Sequence, residues 1–276
     1  MNSIYDMDPA RYETMSTPEL RQTFLLEGLF VPGEVVLRYW YCDRAVVGAV
    51  VPVAGAITLP CPNELACAYF NERRELGIVN IGGAGSVTVD ATVYSLAKLD
   101  CLYVGRGSKD VSFNSASAAE PAQFYLVSYP AHQSYPTALT TPGLTETEDL
   151  GSKDDANERT IHRCIHLNGV RSCQLVMGYT VLRGGSVWNT MPPHTHARRS
   201  EIYFYFDLKQ QAAVVHLMGR PDATRSVIVH DREAVLSPPW SVHSGVGTAN
   251  YTFIWAMGGE NQVFSDMDAA PIATLR

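Results

Sequence analysis

A chain of 276 residues that is 46% hydrophobic can bury a substantial core, either as one large unit or as two small ones. Its 28 acidic residues outnumber 21 basic ones for a net charge of -7, and there is no dense Lys/Arg block, so it shows no nucleic-acid or anionic-membrane footprint. A small molecule is the partner to expect. The opening stretch has no basic segment leading into an apolar run, and no later stretch has the length and apolarity of a membrane span. The expectation is therefore a soluble, cytoplasmic protein with no membrane association.

Near the N-terminus, Ser16 and Glu19 have capping-box spacing, Pro18 sits in a tolerated first-turn position, and Leu20, Phe24 and Leu25 follow, which predicts a short peripheral helix. From residue 34 onward short β-branched and aromatic runs alternate with Gly, Pro, Asn and Asp: VVLRYWY, AVVGAVVPV, LGIVNI, SVTVD and QFYLVSY. Residues 141–160 are polar and acidic and read as a linker across the surface. Beyond it the strand texture returns in CQLVMGYTVL, EIYFYFDL, AAVVHLMG, SVIVH and YTFIWAMG, without the long helices that a parallel α/β sheet requires. The organisation expected is thus a first half over 1–140 with its leading helix, a linker over 141–160, and a second half over 161–276.

The two halves look like copies. RRELGIVNIGG from Arg73 can be laid on RRSEIYFYFDL from Arg198 with one residue of slippage, which puts Glu75 opposite Glu201. DCLYVGRGSKDVSF from Asp100 lies over AVLSPPWSVHSGVG from Ala234, which puts Lys109 opposite His243. The first half has no histidine before residue 132. If the duplication is real, only the second copy keeps a site. The six cysteines (Cys42, Cys61, Cys67, Cys101, Cys164 and Cys173) form no C-x-x-C pair and are expected as free, mostly buried thiols.

His194 and His196 stand two apart in PPHTHARRSEIYFYF, so an extended strand aims both imidazoles the same way. Glu201 opens the next strand and shares a face with Tyr203 and Tyr205, while Ile202, Phe204 and Phe206 take the other. His243 follows a Pro-Pro-Trp turn about forty residues on. Three imidazoles and a carboxylate make an N/O donor set suited to one divalent ion: zinc, or else manganese, iron, cobalt or nickel. His132, His162, His166, His216 and His230 have no comparable spacing partners. Trp188, Trp240 and Trp255 flank the motifs as core or as pocket wall. Gly82, Gly83 and Gly85 precede a strand and read as a turn, not as a dinucleotide fingerprint.

Gly185, the His-x-His pair, the glutamate five residues on, the Pro-rich turn and the final histidine together resemble the two metal-binding motifs of the cupin superfamily. That resemblance implies an all-β bicupin, two β-barrel (jelly-roll) halves with a few short peripheral helices. Over nearly its full length the chain resembles the 5-keto-4-deoxyuronate isomerases, also called 4-deoxy-L-threo-5-hexosulose-uronate ketol-isomerases. The matching segments are ERRELGIVNIGGAG from Glu72, LYVGRG from Leu102, YPAH from Tyr129, WNTMPPHTHARRSEIYFYF from Trp188, PPWSVHSGVG from Pro238 and YTFIWAMGGENQVFSDMD from Tyr251. The resemblance implies a cytosolic enzyme of pectin and uronate breakdown that forms hexamers and binds one zinc ion per chain on His194, His196, Glu201 and His243. Its implied reaction converts 5-dehydro-4-deoxy-D-glucuronate to 3-deoxy-D-glycero-2,5-hexodiulosonate.

Such a shift moves hydrogen between neighbouring carbons, as a proton through a base or as a hydride, and the sequence does not separate the two routes. Tyr203, Glu260 and a metal-bound hydroxide are the candidate bases. Arg198, Arg199, Arg183 and Lys109 are candidates to hold the substrate's carboxylate. Two alternatives stand beside the isomerase: an iron(II) cupin oxygenase and a non-catalytic sugar-binding cupin.

Overall fold

The computed structural model describes residues 1–276 and is built almost wholly of strands. The chain divides into two compact units. One comprises Met1–Ile4, Leu29–Thr145 and Cys164–Val176; the other comprises Tyr5–Gly28, Glu146–Arg163 and Met177–Arg276. In the first, alternating apolar residues form a seven-stranded sheet ordered Asn2–Ile4, Val35–Trp40, Ala45–Val50, Phe124–Pro130, Arg74–Asn80, Cys101–Val104 and Ala138–Thr140. A four-stranded sheet, Ile57–Thr58, Val111–Ser115, Gly85–Val89 and Thr92–Leu96, faces it. Leu76, Ile78 and Leu126 from the large sheet and Val87, Val111 and Phe113 from the small one meet in a single core, so burial of both inner faces holds the two layers together.

The second half repeats this order strand for strand. Its large sheet runs Glu146–Leu150, Arg159–Ile165, Val176–Leu182, Thr252–Gly259, Arg199–Phe206, Glu233–Ser237 and Leu25–Leu26; its small sheet runs Trp188–Asn189, Val242–Gly247, Val214–Arg220 and Ala223–Val229. In both copies the glutamate-bearing strand lies in the large sheet between two antiparallel neighbours, so the duplication read from Glu75 and Glu201 is a duplication of topology. Lys109 does not take the place of His243. It lies in the turn before Val111–Ser115, where its N–H donates to Asp90 Oδ1, whereas His243 sits within a strand opposite Met218.

The N-terminal helix forms at Thr17–Phe24. Glu19 Oε2 accepts from the Ser16 N–H at 2.7 Å and from its hydroxyl at 2.8 Å, which satisfies donors that a helix start leaves open. The helix belongs with the second unit, not the first as the sequence suggested. Tyr12, Phe24 and Trp240 meet edge to face there, and the Tyr12 hydroxyl donates to Met218 O. Within the segment read as a linker, Glu146–Leu150 is an edge strand paired with Arg159–Ile165. Its polar text comes from one solvated face, not from absent structure. No disulfide links any of the six cysteines.

Candidate metal centre

Arg199–Phe206 is wholly buried, and strand alternation turns Glu201 and Tyr203 toward a cavity of about 470 Å³. His194 and Thr195 pair with Asp268–Ala269, and the His196 N–H donates to Pro239 O; these contacts fix the His-x-His segment beside that strand. His243 comes across from the small sheet. The four side chains converge so that one donor atom of each lies within 4.8 Å of all the others.

The distances are those of groups arranged around one point. His194 Nε2 is 3.2 Å from His196 Nε2 and 3.0 Å from His243 Nε2, and Glu201 Oε2 is 2.8 Å from His196 Nε2 and 2.9 Å from His243 Nε2. His196 Nδ1 donates to Asp266 O at 2.8 Å, which leaves its Nε2 lone pair free, and His243 Nδ1 is 3.2 Å from Ser237 Oγ. Burial, then the neighbouring His243, pushes His194 down to about 2, so its imidazole is neutral and able to act as a ligand at ordinary pH. Burial works to raise the Glu201 carboxyl but is outweighed by His243 and His196, which hold it well below the usual range. Three imidazole nitrogens, that of His194 lying 3.2 and 3.0 Å from the other two, gather beside a carboxylate oxygen, and this is the donor set a divalent cation satisfies.

The other expected site residues divide. Tyr203 lines the cavity, and its hydroxyl is 2.9 Å from Thr190 Oγ1. Burial, reinforced by the Glu201 charge, raises its pKa well above the ordinary value, so it keeps its proton and cannot serve as a resting base. Glu260 is exposed and does not line the cavity. Arg198 is committed elsewhere: Nε reaches both Asp266 oxygens and Nη2 reaches Asp268. Arg199 is buried and donates to Val263 O and Asp266 O, both at 2.8 Å, so it braces the segment that holds His196 Nδ1. Arg183 is paired with Asp149 and Glu158, and Lys109 belongs to the first unit.

None of these four cations lines the cavity; the guanidinium that does is Arg159, at the end of the segment that reads as a linker. The sequence signal was there in the alternation of Arg159, Ile161 and Arg163. Trp255 walls the cavity, with its N–H on Thr180 Oγ1, and Trp240 is core against the helix. His216, set aside from spacing alone, is wholly buried: its Nδ1 is 2.7 Å from the Tyr205 hydroxyl and its ring lies edge-on to Tyr203.

Two jelly-roll copies, one of which carries a buried three-histidine, one-carboxylate cluster in a cavity, define a bicupin with a single metal-type centre. Solved structures agree on the fold. An IolB-like protein from Salmonella typhimurium superposes with a TM-score of 0.70 at 15% identity, over 87% of this chain and 94% of that one. An oxalate decarboxylase of Bacillus subtilis gives 0.55 at 12% identity, over 79% and 70%.

More particularly, the chain belongs to the KduI/IolB family, whose family model matches residues 48–272. A 4-deoxy-L-threo-5-hexosulose-uronate ketol-isomerase of Shouchella clausii is 49% identical over 276 residues, the whole of both chains. The protein of the same name from Kineococcus radiotolerans is 51% identical over 279 residues, again end to end.

Proposed function

We propose that this protein is a metal-dependent ketol-isomerase that acts on 4-deoxy-L-threo-5-hexosulose-uronate, the 5-dehydro-4-deoxy-D-glucuronate of uronate breakdown, and yields 3-deoxy-D-glycero-2,5-hexodiulosonate. The observation that carries this is the convergence of His194, His196, Glu201 and His243 at a sugar-sized cavity, in a chain about half identical, end to end, to relatives that bear that name. Those four residues would hold the cation. The N₃O donor set supports zinc, one per chain, since the first unit offers no second cluster of this kind. When bound, the ion supplies Lewis-acid stabilisation for the negative charge that develops on neighbouring oxygens during an aldose–ketose shift.

The chain's own groups do the rest. Phe253, Trp255, Met257 and Phe264 give the cavity apolar walls that exclude water and strengthen every polar contact inside it. The Tyr203 hydroxyl, protonated and held by Thr190, is placed to donate to a substrate oxygen. Arg198 and Arg199 keep the 263–268 segment closed over His196 and thereby orient its imidazole. Hexameric assembly belongs to this proposal through the family resemblance. A cytoplasmic location belongs to this proposal through the same resemblance.

The test is conversion of the hexosulose-uronate by purified protein, followed by loss of the aldehyde and gain of the ketone by NMR. Turnover that is abolished by chelation and restored by a divalent metal is the expected result. A metal-replete protein that leaves the substrate unchanged would refute the assignment.

A further inference from the structure

The proposed substrate carries a carboxylate at the end of its carbon chain, away from the carbons that isomerise. A site that binds it must offer a cation at a distance from the metal ligands, inside the same cavity. Arg159 is the only such side chain on the wall. It is the first residue of Arg159–Ile165, paired with Leu150 on the edge strand, and strand alternation sets Leu150, Arg159 and Ile161 all on the cavity lining.

The other arginines around it are spoken for by acids. Arg163 is held by Glu146 and Glu148, Arg183 by Asp149, and Arg198 by Asp266 and Asp268. Arg159 has no carboxylate within ion-pair distance, and Glu148, which acts on it through space, is held by Arg163. A hydrogen bond from Nη1 to Asn157 O at 2.9 Å anchors one edge of the guanidinium, and the side chain lines the cavity. A half-buried guanidinium with no carboxylate in contact gains from a ligand that brings one, and its planar fork of donors matches a carboxylate.

We propose that Arg159 binds the carboxylate of the substrate and is the residue that makes this site select an acidic hexosulose over a neutral one. The inference rests on the reading given under Proposed function. With the carboxylate at Arg159 and the hydroxycarbonyl end at the His194, His196, Glu201 and His243 cluster, the molecule is fixed at both ends, so orientation is set before any bond changes.

The experiment measures kcat and KM for the hexosulose-uronate and for its neutral C6 amide with the wild type, Arg159→Gln and Arg159→Lys, with metal content determined on each sample. Wild type is expected to prefer the acid. Arg159→Gln should raise KM for the acid roughly 10- to 100-fold, change kcat far less, leave the amide's constants nearly unaltered and keep the metal. Arg159→Lys should recover part of the KM, which a purely structural role would not predict. An unchanged KM for the acid in Arg159→Gln, or equal losses for acid and amide, would overturn the inference. Failure of the wild type to turn over the acid would remove the underlying isomerase reading instead, and that result is read before any variant is made.

Discussion

Glu75 and Glu201 occupy equivalent strands of two copies of one fold, both are buried, and they are put to opposite uses. Glu75 is closed off by its own chain. Oε1 accepts the N–H groups of Gln174 and Leu175 at 2.8 and 2.7 Å, and Oε2 accepts the Cys173 N–H at 2.6 Å and the Tyr103 hydroxyl at 2.8 Å. Glu201 instead meets imidazole nitrogens, the Nε2 atoms of His196 and His243 at 2.8 and 2.9 Å. A buried carboxylate is tolerated when donors surround it, and the donors decide what it does. In the first unit backbone N–H groups complete the shell and nothing remains to bind. In the second the shell is made of imidazoles, whose nitrogens can turn to a cation instead.

Breaking the second arrangement should have the largest effect. His196→Ala or Glu201→Gln is expected to lower kcat/KM at least about a thousandfold and to abolish stoichiometric metal by elemental analysis, with little change in melting of the metal-free protein. Glu75→Ala should do the reverse. It strands three backbone N–H groups and a tyrosine hydroxyl in the interior, so a loss of about 3–5 kcal/mol in denaturant unfolding is expected. Metal per folded chain should stay at the wild-type level; loss of metal in Glu75→Ala would break the comparison.

Arg199→Met sharpens it further. Without the donors to Val263 O and Asp266 O, His196 loses its brace, and metal affinity measured by chelator competition should fall about 10- to 100-fold. The smallest effect concerns acid. Burial, then the His243 charge, lowers His216 from 6.5 to about 3, against a weaker opposing pull from Glu201. The unfolded chain therefore binds a proton that the folded chain refuses. Stability from this group is intact above 6.5 and is lost as pH falls from there toward 3. Urea midpoints of the metal-free protein should follow that slope, and His216→Phe should flatten it by about one proton, or about 1.4 kcal/mol per pH unit at most.

The convergence of His194, His196, Glu201 and His243 was legible in part from strand alternation and the Pro-rich turn, while the pairing of His194–Thr195 with Asp268–Ala269 and the place of His243 in the small sheet complete it. The duplicated topology was legible for the same reason, since Glu75 and Glu201 sit in matching apolar runs. The fate of Glu75 was not, because its partners at 173–175 lie about a hundred residues away and act through backbone N–H groups that any sequence supplies. Arg159 was hidden by its neighbours. The acidic text of 141–160 looks like a surface linker, yet Glu146–Leu150 and the start of Arg159–Ile165 are paired strands from which Leu150 and Arg159 line the cavity. Arg198 and Arg199, next to the ligands in sequence, looked like substrate contacts. Only the folded chain brings Asp266, Asp268 and Val263 beside them and turns them into braces.

The central claim is that one unit of two retains a metal centre and that this centre carries the isomerisation. Its most direct test is a titration of chelator-stripped protein with zinc, with bound metal and turnover of 4-deoxy-L-threo-5-hexosulose-uronate followed in the same samples. The account predicts that activity rises linearly and saturates at one ion per chain, with no rise in His196→Ala. Full turnover by the stripped protein, or saturation at two ions per chain, would contradict it.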